Sequence, residues 1–225
     1  MLFRSESLQH RADSHFVGSA RRDSGFFELE WRCKRFRQSA DAIDGLEEYF
    51  ALEKLGEARY EYWDGDIVCM SGGLKGHAYT AGNVYFHFRR LLSQGGCNAF
   101  TSETPIKTPL KPPYRYPDAS VACGEPQYEK IQGIDVLTNP TLVVEVLSRS
   151  TEMKDRNTKK EAYQALPSLQ QYLLISQTEP HLTLFTRLGD KWQRQDFSDM
   201  EGSITLVSIK CELALKDIYE DVTFE

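Results

Sequence analysis

From Ala40 onward, apolar residues recur at spacings that name the elements. "SADAIDGLEEYFALEKLG" sets Ile43, Leu46, Phe50 and Leu55 near helical spacing, and Gly56 stops the run. "ARYEYWDGDIVCMSGG" predicts two short strands around a tight Asp64-Gly65 turn. "HAYTAGNVYFHFRRLLSQGG" predicts a second amphipathic helix, with Ala81, Val84, Phe88, Leu91 and Leu92 inward and Gly95-Gly96 at its end.

Strands dominate the second half. "NAFTSE", "PIKTPLK" and "YPDASVAC" are short strands, and the prolines of "PLKPPYRYP" place that stretch at the surface or an edge. "EPQYEKIQGIDVLTN" reads as a loop. "PTLVVEVLS" is an apolar run broken by one Glu, as in a buried central strand. "KDRNTKKEAYQAL" predicts a helix ended by Pro167, and "LQQYLLIS", "HLTLFTRLG", "KWQRQDFS" and "ITLVSIKC" follow as strands. Helices and strands are interspersed, so the expected class is α/β or α+β, with a mixed central sheet flanked by helices.

Composition changes this picture at one end. Residues 1–40 hold eight Lys/Arg against five Asp/Glu and lack a sustained apolar period; the rest of the chain carries a charge of -9. We therefore expect an N-terminal extension over 1–40, with "WRCKRFR" as its candidate DNA-touching cluster, and one domain over 41–225. With 40% hydrophobic residues, that domain has material for a sizeable core. A net charge of -6 argues against a protein that coats nucleic acid non-specifically. It argues less against an enzyme whose own carboxylates hold a metal.

No stretch reaches the roughly 18 apolar residues of a membrane span, and no secretion-signal pattern opens the chain. Cys33, Cys69, Cys97, Cys123 and Cys211 are scattered without a CxxC pair. That usage suits a reducing cytoplasm, where each is expected as a small core residue.

Glu145 is the residue out of place. It interrupts Leu142, Val143, Val144, Val146 and Leu147, and strand alternation puts it on the side of Val143 and Leu147. A buried carboxylate needs a cation, a hydrogen-bond cage or a raised pKa. Against this stand an edge position facing water and a purely structural salt bridge. Asp118 follows Pro117 at the start of another strand, and two such carboxylates can converge on a divalent ion; Glu61 offers a third. Lys159 leads a helical stripe with Ala162, Tyr163 and Leu166, which brings its ammonium toward the Glu145 strand.

The set "YPDASV … PTLVVEVLSRSTEMKDRNTKKEAY … PSLQQYLLI" resembles a family of restriction-endonuclease-like proteins abundant in cyanobacteria, within the PD-(D/E)xK nuclease superfamily, from about Leu46 to Tyr219. The resemblance implies a restriction-endonuclease-like core, Mg²⁺ or Mn²⁺ as cofactor, acidic ligands at Asp118, Glu145 and Glu61, and a catalytic lysine at Lys159. Leu147 stands where the superfamily's simplest motif has lysine, and the resemblance implies that the lysine has migrated to the following helix, at Lys159. His77 matches a histidine frequent in the family and is assigned to the site edge. The expected activity is DNA phosphodiester hydrolysis by a homodimer, with the Val146 carbonyl as a further metal ligand. Lys107, Lys111, Arg115, Arg149, Lys154 and Arg156 are candidate DNA contacts. The rival readings are a catalytically weak scaffold on the same fold, and a metal-dependent enzyme acting on RNA or a small phosphodiester.

Overall fold

The computed structural model describes residues 45–56, 59–63, 65–70, 74–93, 95–149 and 151–224. The basic stretch of 1–40 and "WRCKRFR" lie outside them, as do Ile43 and Asp64.

A six-stranded mixed sheet is the scaffold. Its order is Lys191–Phe197, Leu182–Leu188, Gln171–Ser176, Leu142–Leu147, Ala119–Cys123, Cys97–Thr101. Leu142–Leu147 is central and buried at every position. It runs antiparallel to Ala119–Cys123 and parallel to Gln171–Ser176. A parallel neighbour requires a crossover, and the helical segment beginning at Glu152 supplies it.

Alternation along the central strand separates two cores. Val144 and Val146 pack with Val84 and Phe88 of helix Lys75–Leu91. Val143 and Leu147 pack with Tyr163, Leu166, Leu169 and Tyr172 on the other face. A third cluster joins Tyr49 of helix Gly45–Leu55 to Tyr60, Tyr62, Ile67, Tyr114 and Tyr116. The hairpin Tyr60–Trp63/Asp66–Cys69 forms as expected, with Gly65 at φ +97° in its turn.

Several expectations need correction. In helix Gly45–Leu55, Tyr49 is the deeply buried residue and Leu55 is 68% exposed, because the helix turns its aromatic side to the tyrosine cluster. In helix Lys75–Leu91, Leu91 is exposed, whereas Thr80 and His87 join Val84 and Phe88 inside. "PLKPPYRYP" does supply an edge strand, Tyr114–Arg115, but it is buried, because Tyr114 is central to the aromatic cluster.

"EPQYEKIQGIDVLTN" is no loop. It forms the hairpin Tyr128–Ile131/Ile134–Leu137, turned by Gln132 and Gly133, both at positive φ. "ITLVSIKC" breaks into Ser203–Leu206 and Cys211–Ala214, with Val207 at the exposed turn. The cysteines are not all separate core residues either. Antiparallel register sets Cys97 opposite Cys123, their Cα atoms 3.9 Å apart and their sulfurs bonded, whereas Cys211 keeps a free thiol. Among the described residues, no helix is long and apolar enough to cross a membrane.

Arg187 locks the crossover to the sheet. Its guanidinium donates to the carbonyls of Leu169, Gln164 and Leu166 at 2.7, 2.7 and 2.8 Å, and lies over the Trp192 ring. Gln164 ends helix Lys160–Gln164 and the other two lie just beyond it, where helical carbonyls run out of intrahelical donors, although the Leu166 carbonyl also accepts the Leu169 N–H at 3.2 Å. Arg187→Met keeps the aliphatic stem and removes the donors. It should lower stability by about 2 kcal/mol, read as a lower urea midpoint at unchanged m-value.

Candidate active site

The crossover begins with Glu152–Lys154, widens into a π-helical turn over Asp155–Lys159, and continues as Lys160–Gln164. Asp155 and Lys159 are both buried in this turn, and Ala162, Tyr163 and Leu166 continue the buried stripe expected from the sequence. Wide turns of this kind leave backbone groups to be satisfied elsewhere. Here Tyr172 Oη donates to the Asp155 carbonyl at 2.9 Å.

Glu145, 2% exposed, lies on the Val143 and Leu147 side of the central strand, which faces the crossover. Opposite it is the Lys159 ammonium, itself 4% exposed. Lys159 Nζ stands 3.0 Å from Glu61 Oε1, 3.1 Å from Asp155 Oδ1 and 3.3 Å from Glu145 Oε2. Thr151 Oγ1 donates to the other Asp155 oxygen at 2.6 Å, and Trp63 Nε1 to the other Glu61 oxygen at 3.1 Å. Glu145 Oε1 is buried without a hydrogen-bond partner.

Asp118 stands where two strands part. Pairing between Ala119–Cys123 and Leu142–Leu147 begins at Ala119↔Val144, and beyond it Asp118 Oδ2 accepts the Val146 N–H at 2.6 Å. A side chain thus takes the ladder position that the diverging backbone gives up. His77 Nε2, from the start of helix Lys75–Leu91, lies 3.3 Å from the same oxygen.

One ammonium faces three acids, Glu145 and Asp155 buried and Glu61 half-buried, so negative charge is in excess. Burial raises Glu145 well above the usual carboxylate range; the Lys159 charge pulls it back, but Asp155, Asp118 and Glu61 add to the rise. Asp155 is also raised, by burial first, against the pull of Lys159. For Lys159, burial acts to lower the pKa, yet Glu145, Glu61 and Asp155 together hold it well above the usual lysine value. His77 behaves alike: burial lowers it, and the Asp118 hydrogen bond and charge more than reverse that. The acids thus favour the charged lysine, and burial favours the protonated form of Glu145 and Asp155.

The residues expected at the site fall into place unevenly. Glu145, Lys159 and Glu61 meet directly, while Asp118 and His77 form a contact pair beside them. Val146 enters through its N–H. The candidate DNA contacts do not form one free rim: Lys107 pairs with Glu129 and Arg156 with Glu152. Arg115 is buried, with its guanidinium 4.4 Å from the Trp63 ring, and Lys154 Nζ lies 4.1 Å from that ring. Lys111 and Arg149 are exposed. Asp155 and Trp63 were not among the site residues expected from the sequence. The four-residue step to Lys159 was the available signal for Asp155; nothing in sequence marks Trp63.

The family model described as "Uma2: Putative restriction endonuclease" matches residues 46–216. The chain belongs to the Uma2 family. It is 35% identical to the uncharacterized protein slr1290 of Synechocystis sp. over 79% of this chain and 92% of that protein. The uncharacterized protein sll1609 of the same organism is 30% identical over 64% and 81% of the two chains. A crystal structure titled a putative nuclease belonging to DUF820, from Anabaena variabilis, superposes with a TM-score of 0.60 at 18% identity, covering 74% of this chain and 93% of that one. Uma2 membership places the chain in the PD-(D/E)xK superfamily, and the mixed sheet flanked by helices is consistent with a restriction-endonuclease-like core.

The charge balance yields a test. Lys159→Met removes the one ammonium that, among the described residues, meets Glu145, Glu61 and Asp155. Carboxylates whose folded pKa is raised hold protons that the unfolded chain releases, so stability falls as pH climbs from the ordinary value through the raised one. The variant should lose about 3 kcal/mol near pH 8 and less near pH 5, as read by urea unfolding at both.

Proposed function

We propose that this Uma2 protein is a metal-dependent DNA endonuclease, and the reading rests on Glu145 and Lys159 meeting in one buried, over-acidic cluster. The donor set suits a hard divalent ion, Mg²⁺ or Mn²⁺: Asp118, Glu145 with its unpartnered Oε1, Glu61, and the Val146 carbonyl are all oxygen ligands. Among the described residues no three acidic, His or Cys groups stand arranged as a finished metal cage, and Lys159 occupies the centre of the acids. A bound ion would supply Lewis-acid polarisation of a phosphate oxygen and ease ionisation of the attacking water.

The chain's own residues do the rest. Lys159, with its raised pKa, keeps its proton and is suited to orienting the attacking water and offsetting charge on the phosphorane-like transition state, not to proton abstraction. Glu145 and Glu61 hold that ammonium in place. His77 fixes one oxygen of Asp118 at the site edge. Cleavage of both strands would call for two copies, so a homodimer acting in the cytoplasm belongs to the same proposal.

A second reading, a catalytically weak scaffold, draws on the cations already consumed within the protein, Lys107 by Glu129 and Arg156 by Glu152. Calorimetric titration with Mn²⁺ separates the two. The endonuclease reading expects saturable binding that Asp118→Asn or Glu145→Gln abolishes, and at least about a hundredfold loss of plasmid cleavage in Glu145→Gln and Lys159→Ala. A folded parent that binds no Mn²⁺, or variants that cut DNA like the parent, would sink it. Parallel assays on RNA and a model diester define the substrate class.

A further inference from the structure

Trp63 closes the strand Tyr60–Trp63 two residues beyond Glu61, so both side chains leave the same face of the hairpin. Its Nε1–H donates to Glu61 Oε2 at 3.1 Å. The other oxygen, Glu61 Oε1, is 3.0 Å from Lys159 Nζ. The carboxylate is therefore held between two donors, one on its own strand and one on the crossover helix. Glu61 reaches the cluster from a two-stranded hairpin outside the central sheet. A long side chain from such an element has rotamers to spare, and its place beside Glu145 must be imposed.

The indole is itself held. The Arg115 guanidinium lies 4.4 Å and the Lys154 ammonium 4.1 Å from its ring centroid, both within cation–π range. Arg115 comes from the edge strand Tyr114–Arg115, and Lys154 immediately precedes the π-helical turn that carries Asp155 and Lys159. Trp63 thus ties three separate elements to one acid. Cations over the ring also polarise the N–H and strengthen its bond to a carboxylate.

We propose that Trp63 is a positioning residue: it holds Glu61 against Lys159 and thereby sets the affinity of the acidic cluster for a divalent cation. The second half rests on the metal-dependent reading above; the first does not. Trp63 touches neither the proposed ion nor a phosphate and acts through Glu61.

Two substitutions separate the indole's donor from its bulk. Trp63→Phe keeps an aromatic ring for Arg115 and Lys154 and removes the N–H. Trp63→His places a ring N–H two bonds from Cγ, as in the indole. The full chain carrying each change is crystallised without metal and titrated with Mn²⁺ by calorimetry, and its melting is compared with the parent. In Trp63→Phe, Glu61 is expected to leave Lys159 and the Mn²⁺ dissociation constant to rise about tenfold; Trp63→His restores both. A merely structural role would shift melting alike in both variants and leave Mn²⁺ affinity unchanged. Glu61 still on Lys159 in Trp63→Phe, or parental Mn²⁺ affinity there, overturns the proposal. If the parent binds no Mn²⁺, the metal reading and the affinity half fall together, and the position of Glu61 in the Trp63→Phe crystal decides the positioning half alone.

Discussion

The contact of one buried lysine ammonium with three carboxylates, two of them buried, constrains everything around it. Lys159 meets Glu145, Asp155 and Glu61 within 3.0–3.3 Å, and two of those acids are almost fully enclosed. Removing charges from water costs several kcal/mol per ion, so such a cluster survives only with good geometry and further hydrogen bonds. The π-helical turn contributes the geometry by facing both Asp155 and Lys159 inward. Thr151, Trp63 and the Tyr172 hydroxyl contribute hydrogen bonds around it. The imbalance that remains, more acid than base, is what the metal-dependent reading builds on.

The sheet supplies the other half of the site through a local failure of pairing. Antiparallel strands that stayed paired past Ala119↔Val144 would spend the Val146 N–H on backbone. By diverging there, the chain frees that donor for the Asp118 carboxylate and brings His77 up to the same oxygen. Asp118 is thereby fixed beside the Glu145 position by main chain, which a surface acid would not be. The site therefore sits where regular structure ends, supported by a strand that is buried along its whole length.

Much of this was legible because it is local or periodic. An acid inside Leu142–Leu147 announces itself by the cost of burying it, and the Lys159, Ala162, Tyr163, Leu166 spacing gives a helical face without any structure. What escaped was what depends on partners distant in sequence. Cys97 and Cys123 are 26 residues apart and meet only through strand register. Tyr114 is buried because four other tyrosines gather around it, against the surface reading of its prolines. Gln132-Gly133 is a weaker turn signal than Asp64-Gly65, so a charged hairpin passed for a loop. Trp63 looked like one more aromatic strand residue, since its role exists only once Arg115 and Lys154 arrive from elsewhere.

The same accounting bears on how a polyanion would be received. In sequence, six cations flank the site strands; in the fold, Lys107 and Arg156 answer nearby glutamates, and Arg115 and Lys154 rest on an indole. Each such partnership lowers the counterion release that drives phosphate binding. A net charge of -6 offers a polyanion little long-range attraction, so on the endonuclease reading DNA would be held by short-range contacts. An ion seated among the acids would change that locally, reversing the sign of the field where the phosphate must sit. On the metal-dependent reading, metal loading and substrate affinity would be linked by electrostatics, because carboxylates that repel an anion when bare would hold the cation that attracts it.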